Sequence, residues 1–490
     1  MDDFDTIPEI ADAYAQGAVS PREIMQRSLD RIRQRDPHLN AFLEVAEAHA
    51  LDMAAQAEAE IRSRGPRGPL HGIPFALKDI FDREGFRTTA QSRLLARNVA
   101  RTSATCVARL EAAGAIFVGK LATHEFALGG PAYDLPAPPA RNPWNPAHFT
   151  GGSSSGSGAA VAARMVPFAL GTDTGGSVRN PAAACGIVGM KPTHGSIPVG
   201  GIVELSRSLD TVGPLTPDVA GNEIVLRVLN GSPMGDLVAP IATTGLRGQR
   251  IGVIRRFYRT DMQAAPEMTE AIETAIETLA DHGAEIVEVD VPPLQDMADC
   301  SRIILISEGY ALHRNLLRTR AVEYSASTRA RLLPGAFIPA ADYIRARDLQ
   351  HHFRARIDAA LADVDVLITA TNMETPARLD DPDRLAVQYG RHARAPFNLT
   401  GHPALSIPIG FSATGLPLAM QIVGRHQDER SVYRIAQSYH RLAPHATVAP
   451  PGLDWADKAR KPRRNLAATI ALSVAQPTGG FIVCQGVSRS

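Results

Sequence analysis

Between residues 70 and 215 the chain is crowded with glycine, serine and other small residues, and short apolar runs there alternate with helical segments. Ile73–Leu77, Ala115–Val118 and Phe168–Leu170 are such runs, and Cys106–Ala112 is such a helical segment. This alternation is an α/β pattern. It recurs further on, where Arg250–Ile254 is strand-like, Met268–His282 helix-like and Ala284–Val289 strand-like. Residues 299–362 read as helical, with many arginines. Residues 364–370, 404–409 and 417–424 predict strands, and 428–442 a closing helix.

Residues 1–65 read as a helical segment packed on this core. Ser20-Pro21-Arg22-Glu23 is a capping box with proline at the first helical position. A second helix, rich in alanine and glutamate, is expected from Ala41 to about Ser63. Residues 66–455 are then the α/β domain, and 456–490 form a C-terminal tail of different character. The tail's basic run, Lys458–Arg464, is expected to be a solvated surface feature rather than a nucleic-acid arm.

The charges of the 490 residues cancel to a formal net charge of +0, which gives no electrostatic reason to expect nucleic acid or an anionic membrane as partner. Cys106, Cys185, Cys300 and Cys484 are scattered without paired spacing, which argues against zinc motifs and a disulfide framework. The acidic N-terminus lacks the apolar stretch of a signal peptide, and no apolar run reaches the roughly 20 residues that span a bilayer. A cytoplasmic protein is the resulting expectation.

The chemistry concentrates in two segments. Gly151-Gly152-Ser153-Ser154-Ser155-Gly156-Ser157-Gly158 fails as a phosphate loop, because no Lys-Ser/Thr pair follows the spaced glycines. As a nucleophile elbow it needs an apolar strand directly before it, and Asn145–Thr150 is loop-like. Gly171-Thr172-Asp173-Thr174-Gly175-Gly176-Ser177-Val178-Arg179 follows a short apolar run. Two glycines before a serine let backbone amides turn toward one point, where they can stabilise an oxyanion. The serine at its end, Ser177, is a candidate nucleophile and needs a base. A lysine, with a free pKa of about 10.4, can serve if burial keeps it neutral. Lys78, directly after Ile73–Leu77 and beside Asp79, is the candidate.

These segments resemble the amidase signature family. The match includes His71-Gly72-Ile73-Pro74 with Lys78-Asp79, the stretches 151–158 and 171–186, Gly189–Thr193, Leu209-Asp210, Gly213-Pro214 and a block from Asn398 to Gly410. It covers roughly residues 5–445. The resemblance implies a single large α/β domain, a central mixed sheet surrounded by helices. It implies a Lys78–Ser153–Ser177 triad in which Ser153 follows a cis peptide bond, and an oxyanion hole from the backbone of Thr174, Gly175, Gly176 and Ser177. Ser154, Asp173 and Arg179 are expected to support the site. Ser154 and Ser155 are expected to cap the following helix, Ser157–Met165. The implied activity is hydrolysis of aryl or alkyl amides, or of carbamates, through an acyl-enzyme, with no metal or organic cofactor. The partner is then a small-molecule substrate, with no nucleic acid or membrane, and the protein a monomer or homodimer. The alternative is the glutamine-hydrolysing subunit of an amidotransferase, working with a tRNA-dependent partner. Zero net charge and the lack of a second catalytic domain weigh against it.

Remaining candidates have plainer readings. His124-Glu125 lacks a second histidine four residues on, so a zinc-protease motif fails. His71, His194 and His402 read as structural, and Cys185 as a packed thiol. Thr150 stands where the family usually has proline. Residues 130–147 and 300–345 are expected to set substrate choice.

Overall fold

The computed structural model describes residues 4–232, 245–443 and 447–453. The tail from 456, its basic run and Cys484 lie outside them. Helix Pro21–Leu39 opens as the sequence predicts: Ser20 Oγ accepts the Glu23 amide and the Glu23 carboxylate accepts the Ser20 amide. It ends at Asn40, which turns left-handed with φ 53°. Asp36 Oδ1 then accepts the amides of Ala41 (2.7 Å) and Phe42 (3.0 Å). A side-chain acceptor that competes for amides diverts the backbone from helix. The next residues, Phe42–Val45, therefore run as a strand where a helix is expected, and the helix begins only at Glu47, ending at Arg64.

Among the described residues, eleven strands form one sheet. In chain order they are β1 Phe42–Val45, β2 Pro74–Lys78, β3 Ile116–Leu121, β4 Phe168–Thr172, β5 Val188–Lys191, β6 Val212–Thr216, β7 Arg250–Val253, β8 Glu285–Glu288, β9 Val366–Ala370, β10 Ala404–Phe411 and β11 Pro417–Val423. Their spatial order is β1-β3-β2-β4-β6-β5-β10-β11-β9-β7-β8. The sheet is mixed: β2 runs parallel to β3 and β4, and β7 to β8 and β9, while the pairs joining these groups through β6, β5, β10 and β11 are antiparallel. Two central strands, β5 and β6, have no clear signature in the sequence. Their glycines and Pro214 obscure the apolar alternation that marks a strand.

Every residue of β2, β4, β5 and β6 is buried. Strands covered on both faces must be largely apolar on both, which is why β2 and β4 read as continuous runs. Phe75 of β2 stacks on Phe168 of β4 at 5.4 Å and meets Phe117 of β3 edge-on at 6.2 Å, fixing the three strands in register.

This frame gathers the motif residues. β2 and β4 are parallel neighbours with Leu77 opposite Leu170, so Lys78 and Thr172 end adjacent strands on the same side. Open α/β sheets bind ligands outside such carboxyl ends. Helix Ser155–Ala162 is built wholly of small residues and packs against β4 and helix Arg179–Cys185. Gly158 permits that approach, because a Cβ there would lie 2.8 Å from Pro181 Cβ.

Gly213 of β6 makes the centre of the sheet equally tight: a Cβ would lie 2.0 Å from the Met190 carbonyl oxygen on β5. Gly213→Ala is expected to lower the thermal unfolding midpoint by several degrees. An unchanged midpoint in differential scanning calorimetry would contradict this packing.

Candidate active site

Lys78 is wholly buried at the end of β2. Its Nζ lies 2.7 Å from Ser153 Oγ and 2.9 Å from Thr172 Oγ1. Burial lowers its pKa to about 7, against the opposing pull of Asp210 and Asp173. Such an amine is substantially neutral near neutral pH and can take a proton from a hydroxyl.

Ser153 follows a cis Gly152–Ser153 peptide bond and is also wholly buried. Its carbonyl accepts the amide of His124 at 3.1 Å. Gly152 sits beneath that histidine, where a Cβ would lie 2.1 Å from the imidazole Cε1. Helix Ser155–Ala162 starts two residues earlier than predicted, and Ser154, at its cap position, makes no side-chain cap bond. Ser154 Oγ donates instead to the Thr172 carbonyl (3.4 Å), and Ser155 Oγ to Ala122 O (3.3 Å), because this end of the helix faces the sheet rather than solvent.

The turn carrying Ser177 hangs on Asp173. The Asp173 carboxylate accepts the amides of Gly176 (2.7 Å), Val178 (3.2 Å) and Arg179 (3.3 Å). It also accepts Arg179 Nε (3.1 Å) and Nη2 (3.0 Å) and Asn398 Nδ2 (2.7 Å). Burial alone would raise this carboxyl, but the Arg179 guanidinium and the Asn398 amide outweigh it and hold the group well below the usual carboxylate range. Arg179 reaches on to Arg394 O (3.0 Å), Gln421 Oε1 (2.8 Å) and Asn398 Oδ1 (2.7 Å).

One expected role changes. The Gly176 amide is committed to Asp173 and is not free for an oxyanion. The amides of Thr174, Gly175 and Ser177 donate to no described residue, and a Cβ on Gly175 would meet nothing within 4 Å. Thr174 Oγ1 donates to Asp210 (2.6 Å), whose carboxyl burial pushes up to about 6 despite that bond.

Several residues take part in the site without a role that the sequence assigns. Thr172 and Asn398 lie inside the matched segments, and Gln421 lies outside them. Thr172 holds Lys78, while Asn398 and Gln421 hold Arg179. His124 is buried with neither ring nitrogen hydrogen-bonded to a described residue. Burial, then the neighbouring Lys78 and Arg331, lower its pKa to about 3, so it is neutral. It stacks on Phe149 at 5.9 Å and borders a small cavity with Gly130, Pro131 and Leu135 of the 130–147 segment. Elsewhere Asp358, His402 and His426 bring ligand atoms within 4.8 Å of one another. Arg354 bears on both histidines, and its positive charge opposes a cation there.

The family model described as Amidase matches residues 23–433. The chain belongs to the amidase family. It is thus a hydrolase of carbon–nitrogen bonds. It is 38% identical over 481 residues to a subunit of the Glutamyl-tRNA(Gln) amidotransferase of Roseiflexus castenholzii, covering 91% of this chain and 97% of that protein. Among solved structures it resembles a bacterial aryl acylamidase of the amidase signature enzymes (TM-score 0.81, 25% identity, 91% of this chain and 98% of that one). It also resembles the corresponding Glutamyl-tRNA(Gln) amidotransferase subunit from Thermotoga maritima (TM-score 0.74, 30% identity, 91% and 98%). No helix among the described residues is long and apolar enough to cross a membrane.

Arg179→Met would leave Asp173 as an uncompensated buried charge. A destabilisation of about 3–5 kcal/mol is expected. Thermal unfolding should show a large fall in midpoint that a second change, Asp173→Asn, partly restores; no restoration would mean that Arg179 acts through packing alone.

Proposed function

We propose that the protein hydrolyses amide bonds of small molecules through an acyl-enzyme on Ser177. The observation that carries this reading is the 2.7 Å contact of Lys78 Nζ, buried and with its pKa lowered to about 7, with Ser153 Oγ. Neutral Lys78 takes a proton from Ser153 as Ser153 takes one from Ser177. Ser177 Oγ attacks the carbonyl carbon, and the oxygen that gains charge is held by the amides of Thr174, Gly175 and Ser177. The C–N bond breaks as Ser153, reprotonated by Lys78, gives its proton to the leaving nitrogen. Without that proton the leaving group would be an amine anion. Water then attacks the acyl-enzyme by the same relay and releases Ser177.

Aryl and alkyl amides and carbamates all present a carbonyl that this relay can attack. A second reading is glutamine hydrolysis within a tRNA-dependent amidotransferase. The relatives support this second reading more strongly than the first: the Roseiflexus castenholzii subunit is 38% identical and the Thermotoga maritima subunit 30%, against 25% for the aryl acylamidase, whose likeness supports the first.

Hydrolysis of anilides, primary amides, glutamine and a nitrophenyl carbamate separates them. Turnover of glutamine alone would favour the amidotransferase reading. Lys78→Ala and Ser177→Ala are each expected to lower kcat/KM by about 10²–10⁴-fold or more on any amide that is cleaved. Full activity in Lys78→Ala would overturn the lysine relay.

The base works only when unprotonated. The kcat/KM of the wild type should therefore be low in acid, rise through a single ionisation near pH 7 and level off above it. A profile flat from pH 5 to 9 would assign the base elsewhere.

A further inference from the structure

Arg394 precedes the short helix Ala395–Leu399 and is 4% exposed. Its side chain lies along Gly176, the residue before Ser177: a Cβ on Gly176 would sit 2.7 Å from Arg394 Cβ and Cδ and 2.9 Å from Nε. Nε is buried without a hydrogen-bond partner, and the side chain forms no ion pair with a described residue. The nearby carboxylate, Asp173, is taken by Arg179. Arg331 adds positive charge on the same side, with its guanidinium over the Tyr389 ring at 4.8 Å, and it too lacks an acidic partner among the described residues. A desolvated cation whose neighbouring carboxylate is already paired with another guanidinium is costly, and a fold that keeps one beside its nucleophile is complementary to an anion.

The other carboxylates of this region are engaged. Asp210 is bonded to Thr174 Oγ1 and the amides of Leu205 and Ser206, and Glu125 to Ser92 Oγ and the Ser325 amide. Among the described residues, neither of these two carboxylates is left without partners to receive a substrate ammonium group. We infer that Arg394 binds a carboxylate of the substrate, so that the favoured substrates are monoamides of dicarboxylic acids that carry no ammonium group. This rests on Ser177 as the nucleophile, and it extends that reading to the substrate's charge.

The test compares the monoamides of succinic and glutaric acid with their methyl esters and with glutamine, which is the glutaric monoamide bearing an α-ammonium group. Wild type, Arg394→Met and Arg394→Lys are used, each checked for an unchanged thermal midpoint. The ratio of kcat/KM for acid over ester should be about 100 in the wild type, fall toward 1 in Arg394→Met and be partly kept in Arg394→Lys. Glutamine should be cleaved more slowly than the glutaric monoamide. Calorimetric titration with succinate and glutarate should show binding to wild type that Arg394→Met loses. If Arg394→Met lowers acid and ester equally and still binds the dianions, Arg394 only props Gly176 and the inference falls. Equal rates on glutamine and glutaric monoamide would overturn the exclusion of an ammonium group. Should no amide be cleaved while dianion binding still depends on Arg394, the nucleophile reading fails and the anion site stands.

Discussion

The buried pair of Asp173 and Arg179 organises the rest. Both side chains are wholly excluded from solvent, and six hydrogen bonds converge on the one carboxylate. Buried ion pairs are weak evidence of stability, since desolvation offsets much of their attraction. What this one supplies is direction. By drawing in the amides of residues 176, 178 and 179, it bends the backbone so that those of 174, 175 and 177 point elsewhere, unpaired among the described residues. A turn with three idle amides beside a serine is complementary to a negative oxygen.

The second organising fact is that the lysine is dry. Lys120 and Lys191 are buried as well: Lys120 has Asp79 at 3.4 Å, while Lys191, whose pKa burial likewise lowers to about 7, donates to Pro192 O at 2.8 Å rather than to a serine. Lys78 has only hydroxyls within hydrogen-bonding distance among the described residues. Hydroxyls do not stabilise an ammonium as a carboxylate does, so the proton is loosely held. The parallel pairing of β2 with β4 places those hydroxyls, with Thr172 ending the neighbouring strand and Ser153 held beside it.

The part of this that is local is legible in the sequence. Apolar runs at 73–77 and 168–170 mark strands because both faces of those strands are covered, and the glycine-serine segments mark themselves by composition. The sequence is silent where function depends on partners far along the chain. Asn398 and Gln421 meet Arg179 across 219 and 242 residues. Gln421 reads as one polar residue inside a buried strand. Arg394 stands among other arginines in a loop, with nothing in its neighbours to say that it lies on Gly176. Phe42–Val45 reads as helix because the deciding features, a left-handed Asn40 and the Asp36 carboxylate, are backbone events that alanine-rich periodicity hides.

Those distant bonds also set a schedule. Arg179 rests on Asn398 and Gln421, and β10 and β11 stand between β5 and β9 in the sheet. A growing chain therefore carries its glycine-serine segments long before it carries what holds them. Until residue 421 has left the ribosome, Arg179 lacks the amide partners that hold it against Asp173, and the turn that carries Ser177 is without that support. An excised 70–215 region would therefore lack the two side chains that hold Arg179 in place.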